Sequence, residues 1–128
     1  MQKERDSTWI ESFDDPFVIA GQGTVAIELL EDLADLDVVV VPMRGGGLVA
    51  GIGTVVKRAD PTIQVIGVQM ERGPVLHQSL QAGSIVELDR QEETLADGPA
   101  GATGIAAVLS KKIENVGEKK SGSYSERK

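Results

Sequence analysis

Three consecutive glycines at positions 45–47 form the segment of this chain best suited to bind a ligand. They follow four valines, Val38 to Val41, which are typical of a strand buried on both faces in a parallel sheet. The apolar residues from Leu48 onward recur at helical spacing, so the glycines stand between a strand and a helix N-terminus. Glycines let backbone N–H groups approach a ligand closely, and a helix N-terminus favours an anion. The pattern therefore predicts a phosphate-binding loop.

Few other side chains suggest chemistry. Asp14 and Asp15 could act as an acid–base pair, but Asp-Asp-Pro is first of all a turn signal. The one histidine, His77, falls in a predicted amphipathic helix, and the chain has no cysteine. A zinc site or a thiol nucleophile is therefore not expected. The sequence assigns no catalytic residue and no metal ligand.

Composition narrows the class of protein. At 128 residues the chain forms one domain at most, and because 41% of its residues are hydrophobic but only 3% aromatic, its core must be aliphatic. The net charge of −7 would repel a polyphosphate backbone, so a nucleic-acid partner is not expected. No apolar run approaches the length of a membrane span. We expect a cytoplasmic protein without a membrane anchor.

Strand and helix patterns alternate along the chain. Predicted strands are 38–41, 63–68 and 84–88. The first predicted helix is 24–33, with Thr24 as its cap, and the second begins at the glycines and ends before Asp60. Two further helices are predicted at 74–81 and 105–112, and residues 92–104 are predicted to form a loop. Residues 17–20 are a short apolar run. This alternation predicts an α/β fold, a partial three-layer parallel sheet with flanking helices.

Several short motifs occur together in the order found in one family. They are Phe13-Asp14-Asp15-Pro16, Val18-Ile19-Ala20-Gly21-Gln22-Gly23-Thr24, Val41-Pro42-Met43-Arg44-Gly45-Gly46-Gly47-Leu48, Val65-Ile66-Gly67-Val68, Thr94-Leu95-Ala96-Asp97-Gly98 and Pro99-Ala100-Gly101-Ala102. With them the chain resembles the threonine dehydratases, which belong with the serine racemases among the fold type II pyridoxal-phosphate enzymes. The resemblance covers roughly residues 9–116.

The resemblance implies a cofactor, a reaction and a set of binding residues. The cofactor is pyridoxal phosphate, held by a lysine Schiff base, and the reaction is β-elimination of threonine or serine to a 2-oxo acid and ammonia. The backbones of Gly45, Gly46, Gly47 and Leu48 are expected to bind the cofactor phosphate, and Gly98 to line the cofactor pocket. The fold implied is part of the large domain of such an enzyme.

The chain departs from the family at the residues that carry catalysis. The Schiff-base lysine belongs to an SFKxRGA-like segment before FDDP, and this sequence has no such segment. Arg44 replaces the first glycine of the phosphate loop. Its charge could help to hold a phosphate, or its side chain could prevent a backbone conformation that glycine reaches easily.

Further departures concern the cation site and the later motifs. Gln69 takes the place of the family's glutamate in VIGVE, and Val75 occupies a position that is acidic where serine racemases bind a divalent cation, so that cation site is predicted to be lost. Asp97-Gly98 is joined directly to Pro99, although a long stretch normally separates these motifs. Ser121-Gly122 is only faintly similar to the SGGN segment, whose serine faces the cofactor ring.

We therefore expect a truncated, internally deleted fragment that is not catalytic alone. Residues 1–11 are taken as a remnant, 12–112 as the α/β segment and 113–128 as a disordered tail. One alternative is a nucleotide-binding Rossmann-type module, with Gly45-x-Gly47-x-x-Ala50 as the fingerprint and Glu71 on the ribose. Another is a non-catalytic partner that pairs with a full-length paralogue through exposed strand edges, as a homo- or hetero-oligomer.

Overall fold

The computed structural model describes residues 8–70, 75–86, 99–111, 113 and 121–122. Helices and strands alternate through most of this part of the chain. In chain order the elements are α1 (Pro16–Gln22), α2 (Thr24–Asp32), β1 (Val38–Pro42), α3 (Gly47–Ala59), β2 (Gln64–Val68), α4 (Val75–Ala82), α5 (Pro99–Leu109) and β3 (Ser121–Gly122).

The strands form a parallel sheet with the order β2-β1-β3. In the longer pairing Val38 lies opposite Gln64 and Pro42 opposite Val68. A hydrogen bond from the Met43 amide to the Val68 carbonyl, 2.8 Å long, extends the pairing past the end of β1. This bond fixes the direction in which the chain leaves the sheet, immediately before the glycine loop.

Helices cover both faces of β1, which explains the unbroken valine run. Neighbouring strand residues point to opposite faces. On one face Val39 and Val41 join the aliphatic core together with α2 and α3, whose buried members are Ala26, Leu29, Ile52 and Val56. On the other face Val40 and Pro42 lie against α5, each with an atom 3.9 Å from the Cβ position of Gly104. The α/β fold with a partial three-layer parallel sheet is therefore confirmed.

The helix α1 packs against α3 so closely that their backbones are in contact. A Cβ placed on Gly51 would lie 2.8 Å from the Gly23 amide nitrogen and 2.9 Å from Cβ of Gln22. Asp15 begins α1 as its N-cap, accepting hydrogen bonds from the amides of Phe17 (2.8 Å) and Val18 (3.1 Å). The Asp-Asp-Pro motif is thus a helix start, and α1 is fixed against the helix that follows the glycine loop.

Several element predictions are confirmed and three are wrong. The predicted helix 24–33, the first two predicted strands and the glycine-opened helix all occur with nearly the predicted bounds. Gly23 rather than Thr24 is the N-cap of α2, because the Thr24 hydroxyl donates backwards to the Gly21 carbonyl at 2.8 Å. The short apolar run 17–20 lies inside α1.

The third predicted strand is not formed at residues 84–86, and 87–88 lie outside the described residues. Val86 donates its amide to the Ser79 hydroxyl at 3.0 Å, and Ile85 is 91% exposed, so neither joins a sheet. The third strand is Ser121–Gly122 instead, beside β1. Residues 99–104, predicted as a loop, belong to α5, which packs on β1 near Gly104.

Parts of the predicted domain division fall outside the described residues. These are 1–7, then 71–74, 87–98 and 112 in the predicted α/β segment, and all of 113–128 except Ile113 and Ser121–Gly122, so the division itself stays a prediction. Within the described part of the chain, no helix is both long and apolar enough to cross a bilayer.

Candidate phosphate-binding site

The glycine loop lies between the end of β1 and the start of α3. The chain bends at 44–46, and Gly46 takes the left-handed conformation (φ 91°, ψ −19°) as the N-cap of α3. The first hydrogen bond of this helix runs from the Ala50 amide to the Gly46 carbonyl at 2.9 Å. The amides of Gly47, Leu48 and Val49 precede that bond and have no partner within the helix. They form a set of N–H donors at the positive end of a 13-residue helix dipole.

The two faces of the loop differ. On the side where a Cβ would stand, Gly45 and Gly47 lie against Phe13, whose atoms are within 3 Å of either Cβ position, although Gly45 is otherwise exposed. At Gly46, by contrast, nothing lies within 4 Å of the Cβ position. A small anion therefore has access from the Gly46 side. The donors, the left-handed turn and the open face together fit a phosphate group.

The backbone at Arg44 does not adopt the positive φ that favours glycine. Among the described residues other than glycine, only Lys111 has a positive φ, so the backbone at Arg44 lies in a region that any residue adopts. Arg44 is exposed, and its guanidinium adds a positive charge next to the loop. The backbone objection to Arg44, raised from the sequence, therefore fails.

The structure assigns other roles to most of the remaining candidates. Asp15 caps α1, and Asp14 is exposed. The backbone amide of His77 donates to Oε1 of Gln69 at 3.1 Å, so Gln69 serves the first turn of α4. Gly98 and Glu71 lie outside the described residues. Among the residues that are described, no group of three His, Cys, Asp or Glu side chains could hold a metal ion.

Ser121 lies far from the loop. The parallel register places Ser121 opposite Val38, at the end of β1 away from Gly45. Pro42 lies four residue steps beyond Val38 along β1, which corresponds to about 13 Å at 3.3 Å per residue. The faint similarity to the SGGN segment therefore does not bring this serine to the glycine loop.

An open cavity of about 670 Å³ lies beside the loop, between the ends of β1 and β2 and the helix α4. Met43 and Val49, which flank the loop in sequence, contribute to its wall. The remaining lining residues are Gly67, Gln69, Met70, Leu76, His77 and Leu80. The Met43 side chain lies against Gly67, so the residue before Arg44 packs across the two strands.

Phe13 is the residue of this site that the sequence did not reveal. In the sequence Phe13 is singled out only as the first residue of the FDDP motif, and the residue is 49% exposed. Its proximity to the loop depends on the packing of α1 on α3, which no local pattern reports. The only available signal was the occurrence of FDDP and the glycine loop in one motif set.

A comparison with known families identifies the family of the chain. The sequence profile of the family described as pyridoxal-phosphate dependent enzyme matches residues 1–121. The chain belongs to the pyridoxal-phosphate dependent enzymes. The cofactor of its family is pyridoxal phosphate. This cofactor carries a phosphate group, the kind of anion that the geometry of the loop fits.

Individual relatives agree with this assignment. L-threonine ammonia-lyase of Geobacter sulfurreducens is 46% identical over 99 residues, covering 77% of this chain and 24% of that enzyme. The processed form of threonine deaminase isoform 2 from Solanum lycopersicum has a TM-score of 0.69 at 38% identity, covering 77% of this chain and 29% of that one. Maize serine racemase has a TM-score of 0.81 at 26% identity, covering 95% of this chain and 53% of that one.

These relatives are longer proteins. The chain spans about a quarter of the length of the curated relatives that it matches. The resemblance to threonine dehydratases and serine racemases is thereby confirmed, as is the fold type shared with them. The matched portion contains the glycine loop, β1, α3 and β2.

Proposed function

We propose that this chain forms the phosphate-binding part of the cofactor domain in a pyridoxal-phosphate dependent dehydratase acting on threonine or serine. The observation that carries the proposal is the left-handed Gly46, which opens α3 at the end of β1 with an accessible face. The relatives named as threonine ammonia-lyase and threonine deaminase support the substrate class. The reaction of the complete enzyme would be β-elimination to a 2-oxo acid and ammonia.

When bound, the cofactor supplies the electron sink that makes the α-proton of an amino acid removable. The residues of this chain do the binding and the orientation. The amides of Gly47 and Leu48 would donate to phosphate oxygens, with the backbone of Gly45 and Gly46 lining the approach. The charge of Arg44 raises the local concentration of the anion. The Met43–Val68 hydrogen bond beside the loop would hold these amides at the end of the sheet.

We infer further that this chain does not complete the reaction by itself. Lys57 is not placed to bind the cofactor, since its ammonium donates to the carbonyls of Pro61 (3.0 Å) and Ile63 (2.7 Å). It also lies ten residues beyond Gly47 on α3, about 15 Å away at 1.5 Å per residue. Lys111 follows α5 on the exposed surface, and the other lysines lie outside the described residues. A lysine that anchors the cofactor would come from another segment or another chain. The alternative of a non-catalytic partner stays a prediction.

A titration with pyridoxal phosphate, followed by absorbance and melting temperature, tests the proposal. Saturable stabilisation is expected from pyridoxal phosphate and not from pyridoxal, which has no phosphate. Gly46→Ala should abolish the stabilisation, because it places a methyl group on the open face. Gly83→Ala is the matched control, since Gly83 also has a positive φ (66°) and open surroundings but follows α4.

Three results would count against parts of this account. Equal stabilisation by pyridoxal and pyridoxal phosphate would show that the loop does not bind the phosphate group. Loss of binding in both glycine variants would show that backbone strain, rather than the loop, is responsible. A borohydride-trapped adduct at a single lysine would overturn the inference that the anchor lies elsewhere.

A further inference from the structure

Phe13 lies across the glycine loop and touches both glycines that flank Gly46. Its Cδ1 and Cβ atoms stand 2.7 and 2.8 Å from the Cβ position of Gly45. Its carbonyl oxygen and Cα lie 2.7 and 2.9 Å from that of Gly47. A single residue therefore covers the closed face of the loop, through its side chain at one glycine and its backbone at the other.

The position of Phe13 is fixed by the helix α1 that follows it. Two residues later, Asp15 caps α1 with two hydrogen bonds, which fixes the turn at 12–14 relative to that helix. The helix α1 in turn contacts α3 through Gly23 and Gly51, where no Cβ separates the backbones. The loop leads directly into α3. Phe13 thus joins the loop to a helix pair whose relative position is already set.

The loop needs such an anchor. Three consecutive glycines have more backbone freedom than any other triplet, so ordering them on a ligand costs more conformational entropy. A contact that orders them before binding reduces this cost and increases the affinity. Phe13 supplies that contact on the closed face and leaves the Gly46 face open to the anion.

We propose that Phe13 is a positioning residue for the phosphate, which holds Gly45 and Gly47 so that the amides at the start of α3 converge on one anion. This proposal rests on the proposed function, because it concerns the same site. It assigns Phe13 no contact with the reacting atoms.

Variants at two phenylalanines test the proposal. Phe13→Ala should weaken binding of pyridoxal phosphate and of inorganic phosphate by the same factor, about tenfold, because only preordering is lost. Phe13→Tyr keeps the ring and should restore both affinities. Phe17→Ala is the matched control, since Phe17 is 88% exposed and lies in the first turn of α1. It should leave both affinities unchanged.

Amide hydrogen exchange in the ligand-free protein provides a second measurement. In Phe13→Ala, or in Phe13→Leu if the alanine variant does not fold, the amides of 45–48 should exchange about tenfold faster, while those inside α3 keep their rates. Unchanged phosphate affinity in a folded Phe13→Ala, or unchanged exchange at the loop, would overturn the proposal. If the unmodified chain binds neither ligand, the proposed function fails, and the exchange rates still decide whether Phe13 orders the loop.

Discussion

The carbonyl oxygen of Phe13 lies 2.7 Å from the point where a Cβ on Gly47 would stand. The first helical residue after the loop is therefore in contact with the segment that precedes α1. The requirement for glycine has a different cause at each loop position. Gly47 and Gly45 leave room for Phe13, whereas Gly46 adopts a positive φ.

The two contacts of Phe13 predict a difference between two double variants. Gly45→Ala and Gly47→Ala should each destabilise the fold by about 1–3 kcal/mol through overpacking. Phe13→Gly should relieve most of the loss at Gly45, where the contact is with the side chain. It should not relieve the loss at Gly47, where the contact is with backbone atoms. Urea unfolding of the single and double variants measures both coupling energies, and equal couplings would contradict the described geometry.

Two glycines of α3 should respond to alanine with opposite signs. A Cβ on Gly51 would press on the backbone of α1, with Gly23 N at 2.8 Å, so Gly51→Ala is expected to destabilise the fold by about 1–3 kcal/mol. A Cβ on Gly53 meets only a methyl group of Val65 at 4.0 Å. Gly53→Ala should therefore stabilise the helix by about 0.5–1 kcal/mol through lower backbone entropy in the unfolded chain. Thermal unfolding distinguishes the two, and unchanged or increased stability in Gly51→Ala would refute the assigned α1–α3 contact.

The cap of α1 should account for a measurable part of the stability. Asp15→Ala removes the acceptor for two amides, and we expect a loss of about 1 kcal/mol in the free energy of unfolding. Asp15→Asn keeps a capping oxygen and should lose much less. Asp14→Ala, at the exposed neighbouring carboxylate, is the control and should be neutral. If Asp14→Ala cost as much as Asp15→Ala, general charge effects would explain the result better than capping.

Asp60 predicts a pH dependence of stability. The pKa of Asp60 lies below its ordinary value of 3.8, first because the Thr62 hydroxyl donates to its carboxylate at 2.6 Å. The Thr62 amide at 2.8 Å and the charge of Lys57 lower the pKa further. Because the folded pKa is depressed, this stabilisation is present above pH 3.8 and is lost as the pH falls through the lower folded value.

Thr62→Val tests this dependence by removing the hydroxyl donor. The melting temperature should fall relative to the unmodified chain near neutral pH, and the difference should shrink at about pH 2. Thr54→Val is the control, since its hydroxyl donates to the Ala50 carbonyl at 2.7 Å and no carboxylate is involved. A Thr62→Val difference that is constant with pH would show that the hydroxyl does not act through Asp60.

The elements next to the loop were predictable because local pattern and tertiary environment agree there. Val38–Val41 could be read as a doubly covered strand, and the structure covers it on both faces. The helix α3 was predictable from its apolar spacing and from Asp60-Pro61 at its end. The same order of strand, turn and helix led to the prediction that 45–47 bind a phosphate, and that assignment stays a prediction.

The misassigned elements depended on contacts between distant residues. Residues 84–86 have a strand-like composition, but the Val86 amide donates a hydrogen bond to the Ser79 hydroxyl, and none of the described strands pairs with these residues. Ser121–Gly122 has no strand pattern of its own and is ordered by pairing with Val38 and Val39. Glycines at 101 and 104 indicated a loop, yet both belong to α5, which packs against Val40 and Pro42 of β1. Phe13 was missed for the same reason.

A nuclear magnetic resonance titration of the ¹⁵N-labelled chain with pyridoxal phosphate tests the central claim most directly, since it reports where the ligand binds. We expect saturable shifts centred on the amides of Gly46, Gly47 and Leu48, and competition by inorganic phosphate. Shifts centred elsewhere, with these loop amides unmoved at saturation, would contradict it.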